Sequence, residues 1–142
     1  MSAAYTTAIN QYLRTELKYG KNQTYKPTAW GDGFSWDLRH QAPGGPPIGY
    51  GEGGLNVMPD LANAMKLNPK MRIFVVGGYF DLATPFYEGV FEMHHLSIPQ
   101  ELQRNISYQY YESGHMVYVN ENILSHFHDD VARFVRDAGS GR

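Results

Sequence analysis

The stretch that most constrains the fold is residues 71–85, which read MRIFVVGGYFDLATP. Residues 72–76 form a short, nearly unbroken apolar run rich in β-branched side chains, which is typical of a strand covered on both faces in a parallel sheet. Two glycines end the run, Asp81 follows on a loop, and Thr84 and Pro85 predict the N-cap and first residue of a helix. Functional side chains collect at the carboxyl ends of strands in open α/β sheets, so Asp81 is the first candidate functional residue.

A second strand-like run, residues 106–111, is followed by His115. The interval between Asp81 and His115 leaves room for one helix and one strand, which places both loops at the same edge of a parallel sheet. A carboxylate that accepts a hydrogen bond from imidazole Nδ1 fixes the tautomer and leaves Nε2 as a general base near neutral pH. The sequence therefore predicts that Asp81 and His115 lie within hydrogen-bond reach and form two members of a catalytic triad.

The motifs GGYFDLATP and NISYQYYESGHMVY, with YLRTELKYG and a tryptophan-bearing loop upstream, resemble the C-terminal part of bacterial members of the serine carboxypeptidase family. The resemblance implies an α/β-hydrolase fold with a Ser, Asp, His triad in that chain order, where Asp81 matches the aspartate and His115 the histidine. None of the serines of this chain lies in the glycine-flanked turn that exposes such a nucleophile. The N-terminal half of the family's fold, which carries the nucleophile and the oxyanion hole, is therefore expected to be missing. Efficient peptidase activity is expected to be missing with it.

Helical periodicity completes the predicted fold around the two strands. Apolar stripes predict four helices, at residues 3–19, 55–67, 85–95 and 121–138. The fold class expected is α/β, a partial α/β-hydrolase-type unit in which residues 71–77 and 106–111 form a short parallel sheet with flanking helices. We expect a single domain over residues 1–142, with a helix at 1–19, a loop rich in Gly, Pro and Trp at 20–54, an α/β core at 55–138 and a tail at 139–142.

Composition excludes several classes of function. The formal net charge is −2, without a long run of either sign, which argues against a nucleic-acid partner. The absence of cysteine removes disulfide and thiolate chemistry. No apolar run has the length of a membrane span, and the first residues lack the pattern of a signal peptide, so the sequence predicts no membrane association and a cytoplasmic location.

A second hypothesis is a metal-dependent hydrolase acting on an ester or phosphoester. Asp81 and His115 are expected at one sheet edge, and His94, His95 or residues of a symmetry mate could complete a site for a divalent ion such as zinc. The run HFHDD at residues 126–130 is a weaker candidate, because residues two apart on a helix point in nearly opposite directions. Without such an ion, no cofactor is expected.

A third hypothesis is a non-catalytic fragment that folds with a partner. A two-stranded sheet is marginal alone, and the outer edge of the Asp81 strand is expected to expose unpaired N–H and C=O groups. We predict a homo-oligomer that covers this edge and buries more than about 1,000 Å². Small esters, peptides and phosphoesters are the substrates that these alternatives imply.

Overall fold

The computed structural model describes residues 2–28, 31, 33–46 and 55–140. The chain divides into two compact units, Met1–Leu38 and Arg39–Arg142. Trp30 and the glycine-rich run at residues 49–54, which the sequence placed in a long loop, lie outside the described residues. This division does not test the prediction of a single domain over residues 1–142 or the limits of the segments within it. Both stay predictions.

The first unit is built on helix α1, Ser2–Gln11, which continues as a π-helical segment, Tyr12–Glu16. The predicted helix at residues 3–19 is therefore shorter and changes its hydrogen bonding near its end. Lys18 and Gly20 both adopt positive φ, at 55° and 64°. Because a left-handed conformation cannot continue a right-handed helix, the chain turns here.

The second unit alternates helices and strands and contains all of the sheet. Strands β1 and β2 pair in parallel from Ile73 opposite Ile106 to Gly78 opposite Tyr111, which confirms the predicted adjacent parallel pair. Helix α3 lies between them in the chain and provides the crossover that a parallel pair requires. The elements of this unit are α2 (Met58–Leu67), β1 (Ile73–Gly78), α3 (Phe86–His94), α4 (Gln100–Gln103), β2 (Ile106–Tyr111), a 3₁₀ turn (Val117–Val119) and α5 (Glu121–Gly139).

Helices cover both faces of the two-stranded sheet. On one face, Met65 of α2 is almost completely buried and belongs to the same apolar cluster as Ile106. On the other face, α5 packs through Phe134, whose ring stacks on Phe74 at 5.0 Å between centroids. The described chain is thus a mixed α/β structure with a short parallel sheet and flanking helices, as the sequence predicts at this level.

Asparagine side chains mark where two of the helices begin. Helix α2 begins at Met58 rather than at the predicted residue 55, and the N–H of Met58 is bonded to Asn56 Oδ1 at 3.0 Å. Helix α5 begins after Asn120, whose side chain accepts from the N–H of Asn122 at 3.2 Å, so the predicted cap is confirmed. The same helix extends to Gly139, one residue into the predicted tail.

Gly78 is where β1 and the segment that follows β2 come closest. A Cβ at this position would overlap the carbonyl oxygens of Ser113 and Gly114 and would lie 2.7 Å from the carbonyl carbon of Ser113. The close approach is fixed by hydrogen bonds from the two residues that follow Gly78, since Tyr79 N donates to Tyr111 O at 2.9 Å and Phe80 N donates to Ser113 O at 3.0 Å. Only glycine allows the two loops after the strands to be joined in this way.

Within the described part of the chain, no helix is both long enough and apolar enough to cross a bilayer.

Candidate active site

Asp81 and His115 meet at the carboxyl edge of the sheet, each on the loop that follows its strand. His115 Nδ1 lies 2.9 Å from Asp81 Oδ2. Because a carboxylate can only accept, Nδ1 carries the proton and Nε2 is the basic nitrogen of the neutral ring. The predicted hydrogen-bond reach between these two side chains is confirmed.

The loop of Asp81 holds its carboxylate independently of the histidine. Oδ1 accepts from the backbone N–H of Ala83 at 2.8 Å and of Thr84 at 3.0 Å. Oδ2 accepts from the Thr84 hydroxyl at 2.8 Å as well as from His115. The residue is only 8% exposed, so its orientation is fixed by protein donors.

Thr84 plays a different part from the one the sequence predicts. The N-cap of α3 is Pro85, with no side-chain capping bond, whereas Thr84 was expected to cap and Pro85 to be the first helical residue. The Thr84 hydroxyl donates instead to Asp81 and lies 3.4 Å from His115 Nδ1. Thr84 is therefore a positioning residue, and the spacing of a threonine three residues after an aspartate, typical of a side-chain-stabilised turn, could have indicated it.

The donors around Asp81 stabilise its charged form. The N–H of Thr84 contributes most, and the bonds from His115, the Thr84 hydroxyl and Ala83 act in the same direction. Together they hold the pKa of Asp81 well below its ordinary value, although removal of the carboxylate from water acts in the opposite direction. Asp81 is consequently ionised across the neutral range and can stabilise an imidazolium.

The imidazole of His115 is open to its surroundings. Its side chain is 63% exposed, and its Nε2 has no hydrogen-bond partner among the residues that the structure describes. A groove of about 420 Å³ beside the ring is lined by Phe86, Met93 and Tyr110, with Glu88 and Glu92 along α3. The basic nitrogen is thus available to a hydroxyl or water brought in from outside.

The other predicted metal ligands do not reach this site. Helix α3 starts beside the Asp81 loop, and its nine residues span about 13 Å, so His94 and His95 lie at its far end. There His94 packs edge-on against Tyr108, and His95 Nδ1 lies 2.7 Å from the carbonyl oxygen of Phe91. In the described ranges, no three His, Asp or Glu side chains converge as a metal-binding group.

Two other histidines pair with carboxylates away from the sheet edge. His40 Nε2 lies 2.8 Å from Asp60 Oδ2, joining the segment before residue 46 to the first turn of α2. His128 Nδ1 lies 3.2 Å from its neighbour Asp129 in an exposed pair on α5. The His40 pair was not foreseen, and nothing in the spacing of its residues indicates it.

No protein-family model, curated protein or solved structure matches this chain. Function is therefore inferred from the geometry of Asp81, His115 and their neighbours, together with the motifs described above.

Replacing Asp81 with Asn is expected to destabilise the protein at neutral pH, by an amount that shrinks in acid. The folded state lowers the pKa of Asp81 below the unfolded value of about 3.9, so the ionised carboxylate contributes stability above that pH and loses it as the pH falls toward the folded pKa. An amide cannot ionise and lacks this contribution at every pH. Urea unfolding of both proteins between about pH 7 and about pH 3 measures the gap.

The matched control for this experiment is Asp129→Asn, because Asp129 is exposed and its pairing with His128 is at the surface. This variant should unfold within about 0.5 kcal/mol of the parent protein. A gap for Asp81→Asn that stays constant from neutral pH into acid would contradict the role assigned to the charged carboxylate.

Proposed function

We propose that this chain is the Asp- and His-bearing part of a serine carboxypeptidase-like hydrolase, in which Asp81 orients His115 and His115 is the general base. The observation that carries the proposal is the hydrogen bond from His115 Nδ1 to the buried Asp81 carboxylate, in an imidazole side chain that is otherwise largely exposed. This is the arrangement that a triad requires of its acid and its base. A partial α/β-hydrolase-type unit is the fold that goes with this proposal.

The chemistry follows from the protonation states. Nε2 accepts the proton of a hydroxyl or water as its oxygen attacks a carbonyl carbon, and the ring becomes an imidazolium. Asp81, ionised and bonded to Nδ1, stabilises that charge. Nε2 then returns the proton to the leaving group as the tetrahedral intermediate collapses, so His115 ends the cycle in its starting form.

Efficient acyl transfer needs more than this pair. A nucleophilic serine must lie against Nε2, and preorganised N–H donors must bind the developing oxyanion, each such donor being worth about 10²–10³ in rate. By the resemblance, the serine and the N–H donors both belong to the N-terminal half of the family's fold, which this sequence does not match. Alone, the pair can activate only water, so we expect slow ester hydrolysis and no efficient peptidase activity.

The metal-dependent alternative rests on the same two side chains. A catalytic zinc ion usually takes three protein ligands, of which Asp81 and His115 could supply two. His94 and His95 lie at the far end of α3 and no described group of three His, Asp or Glu side chains converges here, so the alternative draws its further ligands from a second copy of the chain. This alternative and the proposed enzyme differ in their response to a chelator.

The partner hypothesis is favoured by apolar side chains beside the site. Phe80 and Leu82, which flank Asp81, are 66% and 95% exposed. In the two-stranded sheet, the outer edge of β1 has no neighbouring strand among the described residues. We propose that a second copy covers this region, since an exposed apolar loop beside an open edge is typical of an interaction surface.

One set of assays tests these proposals together. Purified protein, its mass determined by light scattering at micromolar concentration, is incubated with an activated ester, a blocked peptide and a phosphoester, with and without chelator. We expect slow, linear ester hydrolysis without an initial burst, unaffected by chelator, and no serine labelling by a fluorophosphonate.

Each of the other outcomes contradicts one of the proposals. Stoichiometric labelling of a serine would contradict the absence of a nucleophile. Loss of hydrolysis with chelator would replace the proposal with the metal-dependent alternative. A rate no greater than that of free imidazole would contradict the role of His115 as general base. A mass that corresponds to a monomer at micromolar concentration would contradict the proposed homo-oligomer.

A further inference from the structure

A second cavity, of about 270 Å³, lies at the opposite end of the sheet from Asp81 and His115. It is bounded by the amino ends of β1 and β2 and by the last turns of α5. Three arginines line it, Arg72 before β1, Arg104 before β2 and Arg133 on α5. The parallel register sets Ile73 opposite Ile106, so Arg72 and Arg104 lie at the same end of the sheet, where both strands begin.

The positive charge of this groove is only partly neutralised. Arg133 pairs with Asp130, whose other carboxylate oxygen accepts from the Tyr111 hydroxyl at 2.7 Å. Asp130 is thus occupied by two donors. The guanidinium groups of Arg72 and Arg104 have no ion pair or hydrogen bond with any described residue, and Asp137 is the one other acid among the described residues that line the cavity. An excess of guanidinium donors remains.

The rest of the lining supplies an apolar wall and one more polar group. Phe74 and Phe134 stack on each other at 5.0 Å between ring centroids, and both residues line the cavity. Ser107 donates its hydroxyl proton to Ile73 O at 3.2 Å, whereas the side-chain amide of Gln109 has no partner in the described ranges. The groove therefore combines free donors with an aromatic surface, as small-molecule sites do.

We propose that this groove binds a small oxyanion, a carboxylate or phosphate group, between Arg72 and Arg104, with any organic part of the ligand against Phe74 and Phe134. Guanidinium forks match the geometry of these groups with two parallel hydrogen bonds. Arg72 is partly buried, which limits screening of its charge by solvent. A volume of about 270 Å³ is close to the lower end of the range of small-molecule sites. The site is separate from the proposed hydrolase chemistry and does not depend on it.

The test is a titration of the full chain with inorganic phosphate and, separately, with citrate, at constant ionic strength maintained with chloride. Binding is followed by calorimetry and by ¹⁵N amide shifts. We expect saturable binding of at least one of the two anions, with shifts at Arg72, at residues 105–109 and near Arg133, and none at Asp81 or His115. The anion that binds more tightly identifies the preferred group.

Arg72→Gln and Arg104→Gln should each weaken binding about tenfold, since a charge-assisted hydrogen bond is lost. Arg72→Lys should fall between, because lysine keeps the charge and loses the fork. The side chains of both arginines lack described partners, so the variants should fold, which urea unfolding verifies. The control is Arg136→Gln, on α5 but outside the cavity lining, which should bind as the parent does.

Absence of saturable binding of both anions at millimolar concentration would overturn the proposal. So would equal weakening in Arg136→Gln, which would indicate general charge attraction, or shifts confined to the surroundings of His115. Because none of the variants touches Asp81 or His115, failure here leaves the outcome of the hydrolysis assays unaffected.

Discussion

Gly78→Ala is expected to lower the free energy of unfolding by about 3 kcal/mol. The added Cβ would overlap the carbonyl oxygens of Ser113 and Gly114. Backbone atoms cannot move aside as a flexible side chain can, and these are held by the bond from Phe80 N to Ser113 O. Urea unfolding followed by circular dichroism measures the loss.

Gly89→Ala is the matched control, and its effect should have the opposite sign. A Cβ at Gly89, in the middle of α3, would meet Val75 Cγ1 at 3.5 Å and the Tyr110 hydroxyl at 3.9 Å, which are ordinary contacts. Alanine is favoured over glycine in a helix interior by about 1 kcal/mol, so this variant should be more stable than the parent. If both variants lose stability to the same extent, the close approach at Gly78 is not the cause.

His115→Ala is expected to reduce slow ester hydrolysis by about 10²-fold, because it removes the base that the buried Asp81 carboxylate holds. Asp81→Asn should cause a loss of similar order, since the amide no longer requires the tautomer that leaves Nε2 basic. Initial rates with an activated ester at neutral pH measure both effects.

The double variant provides a stricter measurement. If Asp81 acts through His115, combining the two substitutions should be no worse than His115→Ala alone, because residues that act as a unit are strongly non-additive. His128→Ala, which removes an exposed imidazole of the pair with Asp129, should leave the rate unchanged. A loss with His128→Ala equal to that with His115→Ala would show that hydrolysis comes from surface imidazoles in general.

The sequence predicted the sheet and the pairing of its loops closely. Strand β2 has the predicted limits, residues 106–111, and β1 begins and ends within two residues of the prediction. The first run is short and almost entirely apolar, whereas the second alternates apolar side chains with Ser107 and Gln109. Both are bounded by turn residues, and the helix between them dictates parallel pairing. Once the strands are parallel and adjacent, Asp81 and His115 must follow at the same edge.

Contacts that depend on side-chain direction or on irregular backbone were not predictable in this way. Thr84 followed by proline is the usual start of a helix, yet its hydroxyl donates to a charged carboxylate, a stronger bond than a neutral cap offers. The contact of His40 with Asp60 depends on the path of a segment that lacks periodicity. His94 and His95 are close to Asp81 in sequence, but the length of α3 separates them from it.

The turn that holds Asp81 has a consequence for how the pair becomes functional. Its donors other than His115 are Ala83 and Thr84, within three positions of Asp81 in the chain, so they keep the carboxylate in place when the imidazole rotates away. Conformational freedom in the pair is therefore concentrated in one exposed ring. Ordering a single side chain on association costs about 0.5–1.5 kcal/mol of entropy, roughly half of what two unfixed side chains would lose. A molecule that approaches this edge meets an acid already in position and has only the histidine left to order.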